Sequence, residues 1–215
     1  MIPHAIFNAI DSVCLGEPIL FQDLSHPDPT DTIATITQWA WNFGDSVTTG
    51  ISNPSHTYVY PGFHNVSLIV TTDSGCMGNT SQNVYVFPLP HSRYFTNMGC
   101  SGVTVPFSDQ SSCETNKITG WNWNFGDPLS GSANISSDSA TSHIYQNPGS
   151  FAVQLAIITE KGCKDTLLKQ IEIVESPAVN FSSSNACFGT PVYFSDITLF
   201  SRKKIRCSGN ILGEM

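Results

Sequence analysis

The sequence predicts an all-β protein made of tandem antiparallel β-sandwiches. The pentapeptide Trp-Asn-Phe-Gly-Asp occurs at 41–45 and again at 123–127, and a second tryptophan, Trp39 or Trp121, lies two residues before each copy. Apolar and polar residues alternate along both copies, which is the period of a β-strand with one buried face. Turn signals recur at regular spacing and no segment has a helical period, so each repeat should form about seven short strands.

Internal repetition divides the chain into three parts. The chain aligns with itself at an offset of 87 residues, and a unit of that size can hold a small hydrophobic core. We therefore predict one sandwich over residues 1–89, a second over 90–176, and over 177–215 the truncated start of a third repeat with a divergent tail. The third unit lacks its tryptophan strand and everything after it, so we expect this part to be disordered or loosely docked.

The first half of each unit contains an opening aromatic residue, a turn and two strands, and the opening residues are Phe7, Phe95 and Phe181 in the three units. In the first unit, Ile19, Phe21 and Asp23 alternate along the strand that follows the turn. A loop of variable length then leads to the tryptophan strand, as loops absorb such changes without disturbing a core. Gly44 and Asp45 end this strand, because glycine tolerates positive φ and aspartate bonds the backbone two residues on.

In the second half of each unit, the sequence predicts an aromatic strand end, a turn and two further strands. Tyr58 precedes a Pro-Gly turn, after which Val66, Leu68 and Val70 alternate along the longest strand. Gly75 marks the turn into the last strand of the unit. The second unit repeats this order, so we expect one fold for both.

These motifs, in this order, resemble the polycystic-kidney-disease (PKD) repeat. The residues that carry the resemblance are Trp41, Phe43, Gly44, Asp45, His56, Tyr58, Pro61 and Gly62 in the first unit, and Trp123, Phe125, Gly126, Asp127, His143, Tyr145, Pro148 and Gly149 in the second. Asn42 and Asn124 stand where the family often has aspartate. The resemblance implies immunoglobulin-like sandwich domains that act as spacers, display other domains or bind partners, and that do not catalyse reactions. The added cysteines look like those of tandem-repeat bacterial cell-surface proteins, including gliding-motility-associated ones.

Composition limits the classes of partner. Up to residue 198 there are five basic and sixteen acidic residues, a net charge of −11, so we expect no binding to nucleic acid or anionic lipid. No segment is long and apolar enough to insert into a membrane. Four of the nine basic residues lie within 202–206, where the third repeat diverges, and we interpret this cluster as a fragment end or an altered reading frame rather than a recognition tail.

The cysteines favour an oxidising, extracytoplasmic location. Cys14, Cys100 and Cys187 share one repeat position, and Cys76 and Cys163 share another. Cysteines that recur in a polar chain are typical of secreted proteins. A zinc site would need close Cys-x-x-Cys pairs, which the sequence lacks. Free buried thiols are the alternative interpretation.

The topology that the resemblance implies places Cys14 and Cys76 at opposite ends of one sandwich. A strand of about ten residues rises about 33 Å, far beyond the roughly 7 Å between Cα atoms that a disulfide can bridge. We instead predict a disulfide from Cys14 to Cys163 that clamps the first two units and stiffens the array, with Cys76 and Cys100 paired to neighbouring repeats outside this fragment. A disulfide between Cys113 and Cys163 is the competing prediction.

Several side chains could carry chemistry if the fold brings them together. Asp28, Asp31 and Asp73 are candidates for a calcium site at one end of the first sandwich, but their spacing lacks a calcium-loop signature. Solvated loop carboxylates are therefore the main interpretation, and we predict no catalytic metal and no required cofactor. His56 and His143 recur in both units before an aromatic strand end, which favours a structural hydrogen bond over metal ligation.

Aromatic side chains offer a possible binding surface. Trp39 and Trp121 share strand parity with the core tryptophans, which favours packing in the core over stacking on sugars. Tyr60, Phe63 and Tyr85 are less constrained, so a binding surface made of them stays open. No Gly-x-Ser-x-Gly, His-Glu-x-x-His or phosphate-loop motif is present, and we predict that the protein is not an enzyme.

Together these patterns predict a non-catalytic extracellular repeat module, the spacer or adhesive stalk of a larger secreted or cell-surface protein. The signal and anchor of that protein would lie outside this sequence. Neighbouring repeats are its expected partners, with glycans or extracellular proteins as further candidates. The alternative is a carbohydrate- or protein-binding accessory region of a secreted hydrolase. A row of exposed aromatic side chains would favour this alternative, whereas small polar sheet faces would favour the spacer.

Overall fold

The structure is a computed structural model that describes residues 2–177 and 179–198. Its residues group into two compact units. The first contains the described residues up to His91 together with Cys113–Thr119 and Ile158–Asp165, and the second contains Ser92–Ser112, Gly120–Ile157 and the described residues from Thr166 onwards. Two loops of the second sequence repeat are therefore grouped with the first repeat. The boundaries predicted at 89/90 and 176/177 stay predictions.

The first repeat is all-β. In chain order its strands are β1 (Phe7–Asn8), β2 (Ser12–Cys14), β3 (Pro18–Leu20), β4 (Gln22–Asp23), β5 (Ile36–Asn42), β6 (Thr48–Thr49), β7 (Ser55–Thr57), β8 (Gly62–Thr72) and β9 (Met77–Phe87). One five-stranded sheet has the order β2-β9-β8-β5-β6. Strand β2 runs parallel to β9, and the other pairs are antiparallel. Short antiparallel pairs β1-β4 and β3-β7 form the opposing layer.

The core of the first repeat lies between these layers. Val66, Leu68 and Val70 point inward from β8 and are fully buried, as the alternating pattern predicts. They pack with Trp41 of β5 and with Phe21 of the opposing layer in one hydrophobic cluster. Burying large aromatic and branched side chains on one face of each sheet is the main favourable contribution to folding.

The second repeat has the same architecture. Its elements are β10 (Tyr94–Thr96), β11 (Gly99–Cys100), β12 (Thr104–Asp109), β13 (Ile118–Asn124), a 3-10 helix (Pro128–Asn134), β14 (Ile135–Ser136), β15 (Ala140–Ile144), β16 (Gly149–Thr159) and β17 (Lys164–Val174). One sheet has the order β11-β17-β16-β13-β14 and the other β10-β12-β15. The predicted all-β sandwich class is therefore confirmed in both repeats.

Only the beginning of the third repeat is described. Strands β18 (Phe181–Ser183) and β19 (Phe194–Asp196) form an antiparallel pair. Phe181, Phe188 and Phe194 of this region are all largely exposed, and no further strand of the third repeat lies within the described residues to cover them. The divergent tail after residue 198, with its basic cluster, lies outside the described residues.

Candidate functional site

The end of the tryptophan strand is a tight turn held by an asparagine side chain. Strand β5 ends at Asn42, whose Oδ1 accepts a hydrogen bond from the Gly44 amide at 2.9 Å. Asn124 accepts one from Gly126 at the same distance. Only the acceptor oxygen is used, so asparagine replaces the aspartate of the family without loss of this contact.

An aspartate–histidine pair joins the two layers of each sandwich. Asp45 follows β5 of the five-stranded sheet, and His56 lies on β7 of the opposing layer. His56 Nε2 is 2.7 Å from Asp45 Oδ2, and in the second repeat His143 Nε2 is 3.0 Å from Asp127 Oδ2. The His56 side chain is 11% exposed and the His143 side chain 3%. Hydrogen bonds to a charged partner in so dry a site are stronger than neutral ones.

Aromatic rings enclose the histidine of each pair. The His56 ring stacks on Phe43 with centroids 4.2 Å apart, and Tyr58 meets it edge-on at 4.6 Å. The Tyr58 hydroxyl donates a 2.9 Å hydrogen bond to the Phe43 carbonyl. Burial, with a further contribution from the nearby Asp45 charge, raises the pKa of Tyr58, so the phenol stays protonated as a donor.

The second repeat reproduces the same network. His143 stacks on Phe125 at 4.6 Å, and the Tyr145 hydroxyl donates to the Phe125 carbonyl at 2.9 Å. A base that serves in catalysis must reach the substrate proton that it takes. Here the carboxylate occupies Nε2, and the phenol is bonded to a backbone carbonyl. The network therefore acts as a fixed link between the two layers.

The Asp45 pair gives a testable pH dependence. Burial raises the pKa of the Asp45 carboxyl, but hydrogen bonds from His56 and from the Val47 amide outweigh it and leave this pKa below the usual 3.8. A depressed folded-state pKa contributes stability that is present above the unfolded pKa and is lost as the pH falls through the folded pKa. We therefore expect the stability advantage of the wild type over Asp45→Asn to shrink as the pH falls below about 4.

Thermal unfolding of both proteins from pH 6 to pH 2.5 measures this difference. All other carboxylates titrate in both proteins, so the difference isolates Asp45. Asparagine also keeps the Oδ1 acceptor that the Val47 amide uses at 3.1 Å. A gap between the two melting temperatures that stays constant across this range would contradict the expectation.

Sequence reasoning missed a second recurring pair, between a tryptophan and an aspartate. The Trp39 indole Nε1 donates to Asp23 Oδ2 at 2.6 Å, and Trp121 Nε1 donates to Asp109 Oδ2 at 2.8 Å. Both tryptophans are half-buried, and Trp39 packs against the core. The available signal was the aspartate that recurs at one strand position in all three units, including Asp196.

The two repeats differ in the link that precedes the histidine. Asp45 and His56 are eleven residues apart, whereas Asp127 and His143 are sixteen apart. The longer link forms the 3-10 helix, and it brings the Asp138 carbonyl to accept a 2.8 Å hydrogen bond from Trp123 Nε1. The equivalent buried Nε1 of Trp41 has no partner among the described residues. At this position the buried indole N–H therefore has a hydrogen-bond acceptor in the second repeat but not in the first.

A disulfide joins Cys14 to Cys163, with Cα atoms 5.5 Å apart and a sequence separation of 149. Both cysteines are buried within the first compact unit. The competing Cys113–Cys163 bond is thus absent, and Cys113 keeps a free thiol. Cys100 is also disulfide-bonded, and its predicted pairing with a neighbouring repeat stays a prediction.

The three calcium candidates do not gather into a metal site. Asp28 accepts hydrogen bonds from both the amide and the hydroxyl of Thr30. Asp31 caps the amide of Ala34 in its own loop, and Asp73 accepts from the Thr35 hydroxyl at 3.3 Å. Across residues 2–177 and 179–198, no group of three or more His, Cys, Asp or Glu side chains is arranged to hold a metal ion.

The same residues contain no helix of the length and apolarity that a bilayer span requires.

Comparison with known proteins identifies the family. A sequence model of the PKD domain matches residues 2–87 and 88–174. The chain belongs to the PKD domain family. The tight turn, the aspartate–histidine link and the buried tyrosine thus occur in two successive PKD domains, and they give roles to Gly44, Asp45, His56 and Tyr58 and to their equivalents in the second domain.

Three relatives of these PKD domains each match a length of about one domain. The chain is 31% identical over 87 residues to a microbial collagenase of Vibrio alginolyticus, which covers 40% of this chain and 10% of that protein. The solved PKD1 domain of Vibrio anguillarum Epp is 28% identical and covers 40% of this chain and 94% of that one, with a TM-score of 0.35. The PKD1 domain of the Vibrio cholerae metalloprotease PrtV is 26% identical, with coverages of 40% and 98% and a TM-score of 0.35.

Proposed function

We propose that this chain is a non-catalytic extracellular spacer that bears load within a larger secreted or cell-surface protein. Two successive PKD domains support this proposal, as does the similarity to a small part of a microbial collagenase, because both are expected of an accessory repeat region. A disulfide between buried cysteines suits an oxidising compartment. Neighbouring repeats of the parent chain would then be its principal partners.

The Cys14–Cys163 disulfide carries the proposal. It encloses almost all of both PKD domains in one covalent loop. Tension applied outside this loop passes through the sulfur–sulfur bond, so the enclosed polypeptide is not extended even if it unfolds. A module of this kind keeps its length under load, which is the property that a spacer needs.

Single-molecule pulling on the full chain, with handles at its two ends, tests this role. Reduction should lengthen the fully stretched chain by roughly 500 Å, because 149 residues become extensible at about 3.3–3.6 Å each. The matched control is Cys187→Ser, which removes an exposed free thiol and should leave the stretched length of the oxidised chain unchanged. Equal stretched lengths before and after reduction would contradict the load-bearing role.

A second candidate function is binding, as an adhesive or accessory region of a secreted hydrolase. Exposed aromatic side chains favour it, since Tyr60 is 72% and Phe63 78% exposed. Large exposed aromatic residues are enriched where proteins bind other molecules. Spacing and binding are compatible in one module, and they depend on different residues.

A further inference from the structure

A row of aromatic residues crosses the outer face of the five-stranded sheet in the first PKD domain. Val84 and Val86 point into the core, so Tyr85 and Phe87 of β9 point outward. Phe63 of β8 lies directly opposite Tyr85. The ring centroids of Phe63 and Tyr85 are 4.7 Å apart, and those of Tyr85 and Phe87 are 4.8 Å apart. We call these three side chains the aromatic row.

Polar groups border the aromatic row and complete a shallow cleft. Asp11, Ser12, Asn83, Thr115 and Asn116 line it together with the three rings, and all of these residues belong to the first compact unit. The Tyr85 amide donates a 2.9 Å hydrogen bond to the Asp11 carbonyl. The Asn65 side chain donates to Asn83 Oδ1 at 2.8 Å. The Ser12 hydroxyl donates to Asp11 Oδ1 at 3.1 Å. These three bonds hold the backbone and carboxylate of Asp11 and the amide of Asn83 beside the rings.

The second PKD domain shows that the fold does not require this cleft. At the offset of 87 residues, Phe63, Asn83 and Tyr85 correspond to Ser150, Gln170 and Glu172. Ser150 donates a 3.2 Å hydrogen bond to Gln170 there, so small polar side chains serve the same sheet face. Phe63 is 78% exposed, whereas Tyr85 and Phe87 are half-buried and Lys161 Nζ lies 5.7 Å from the centre of the Phe87 ring. A large exposed ring beside two further rings, in one domain alone, points to a ligand.

The strands that carry the three rings cannot pair with an added strand. Strand β9 is paired on both sides, with β2 and β8, and β8 is paired with β9 and β5. At the rings the cleft therefore offers a ligand side chains, whereas an extended peptide needs a free sheet edge for its main-chain bonds, and β2 at the border of the cleft is the edge strand. A suitable ligand must have an apolar face for the rings and donors for the carboxylate.

We propose that this cleft binds a sugar ring of a neutral glycan. The C–H face of a pyranose would stack on Phe63 and Tyr85, and its hydroxyl groups would donate to the Asp11 carboxylate and exchange hydrogen bonds with Asn83 and Asn116. An acidic glycan is disfavoured by Asp11 and by the net charge of −11 up to residue 198. A proline-rich strand is disfavoured at Asp11, because proline residues have no N–H to donate to an ionised carboxylate.

This inference deepens the second candidate function, and titration calorimetry on the full chain tests it. The probes are soluble neutral polysaccharides, namely a β-glucan, a mannan, a galactan and a xylan. We expect at least one to bind saturably, and Phe63→Ala and Asp11→Asn each to weaken that binding by about tenfold or more. Phe95→Ala is the matched control, because it removes an exposed aromatic residue of the second PKD domain that does not line the cleft, and it should change the affinity less than about twofold.

The result that overturns the inference is equally specific. The inference is overturned if none of the four polysaccharides binds. It is also overturned if one of them binds and neither Phe63→Ala nor Asp11→Asn weakens that binding. A triple-helical (Pro-Pro-Gly)10 peptide that binds in a Phe63-dependent manner, with no polysaccharide bound, would replace the glycan with a proline-rich ligand. Phe63 is 78% exposed, so its loss should not unfold the domain, and equal melting temperatures verify this. Failure here leaves the load-bearing role untouched, since that role rests on the disulfide.

Discussion

Replacing Gly44 or Gly126 by alanine should unfold the PKD domain that contains it. Gly44 has φ +80°, and an added Cβ would lie 2.7 Å from the Asn65 carbonyl oxygen and 2.9 Å from its nitrogen. Gly126 has φ +72°, with the Ala152 backbone at 2.6 and 2.9 Å. The blocking atoms are backbone within the central sheet, so they cannot move aside without disrupting strand pairing. We expect a loss of about 4 kcal/mol or more, a large part of the stability of a domain of this size.

Gly16→Ala separates the two causes of this loss. Gly16 has almost the same dihedral angle, φ +85°, but no atom lies within 4 Å of the position that an added Cβ would occupy. Gly16→Ala should therefore lower the free energy of unfolding only by the cost of holding alanine in the left-handed conformation, about 1–2 kcal/mol. Guanidinium unfolding followed by tryptophan fluorescence measures all three variants. Equal losses in Gly44→Ala and Gly16→Ala would show that the close approach to Asn65 is unimportant.

The sequence was sufficient to predict the sandwich because its signals are local. Alternation along β8 follows directly from the two-residue period of a strand, and Val66, Leu68 and Val70 are buried accordingly. The turn at Gly44 was also readable, since glycine is the residue that adopts positive φ without strain. Repetition strengthened both interpretations, because each pattern occurs twice in one chain.

Contacts that depend on distant residues could not be read in this way. The hydrogen bond from Trp39 to Asp23 joins two strands. The alternating pattern of each strand predicts which face its side chains lie on, but it does not predict which residues of the two strands meet. The opening aromatic residue of the second repeat was also misplaced. Phe95 was the apparent equivalent of Phe7, yet Phe95 is 53% exposed and Tyr94 is buried. A one-residue shift of register moves a side chain to the other face, and two adjacent aromatic residues leave the register undecided.

The aromatic cleft illustrates the same limit at a candidate binding site. The exposure of Phe63 follows from its parity relative to Val66, but its contact with Tyr85 depends on the register between β8 and β9. Asp11 and Asn116 lie far apart in sequence, and only the folded chain brings both to the same cleft. Sequence patterns therefore identified exposed aromatic residues, whereas the polar groups that specify a ligand required the structure.

Removal of the Cys14–Cys163 disulfide should produce the second large loss of stability. A closed loop restricts the unfolded chain, and the chain-entropy relation gives roughly 5 kcal/mol for a separation of this length. The separation is 149 residues, so the full effect requires that both PKD domains unfold. The variant should carry both Cys14→Ser and Cys163→Ser. A single Cys14→Ser change would leave Cys163 able to pair with the free thiol of Cys113.

The expected measurement is a lower guanidinium midpoint for the double variant, with Cys187→Ser unchanged from the wild type. Cys14 and Cys163 are both buried, so serine also places hydroxyl groups in an apolar site, which adds a smaller local cost. A Cys14→Val and Cys163→Val double variant separates the two contributions, because it lacks the covalent loop, places no hydroxyl group in the apolar site and keeps the disulfide of Cys100. If the entropic loop dominates, the serine and valine double variants should unfold at similar midpoints. A reduced protein that unfolds at the midpoint of the oxidised one would show that the loop contributes nothing to stability.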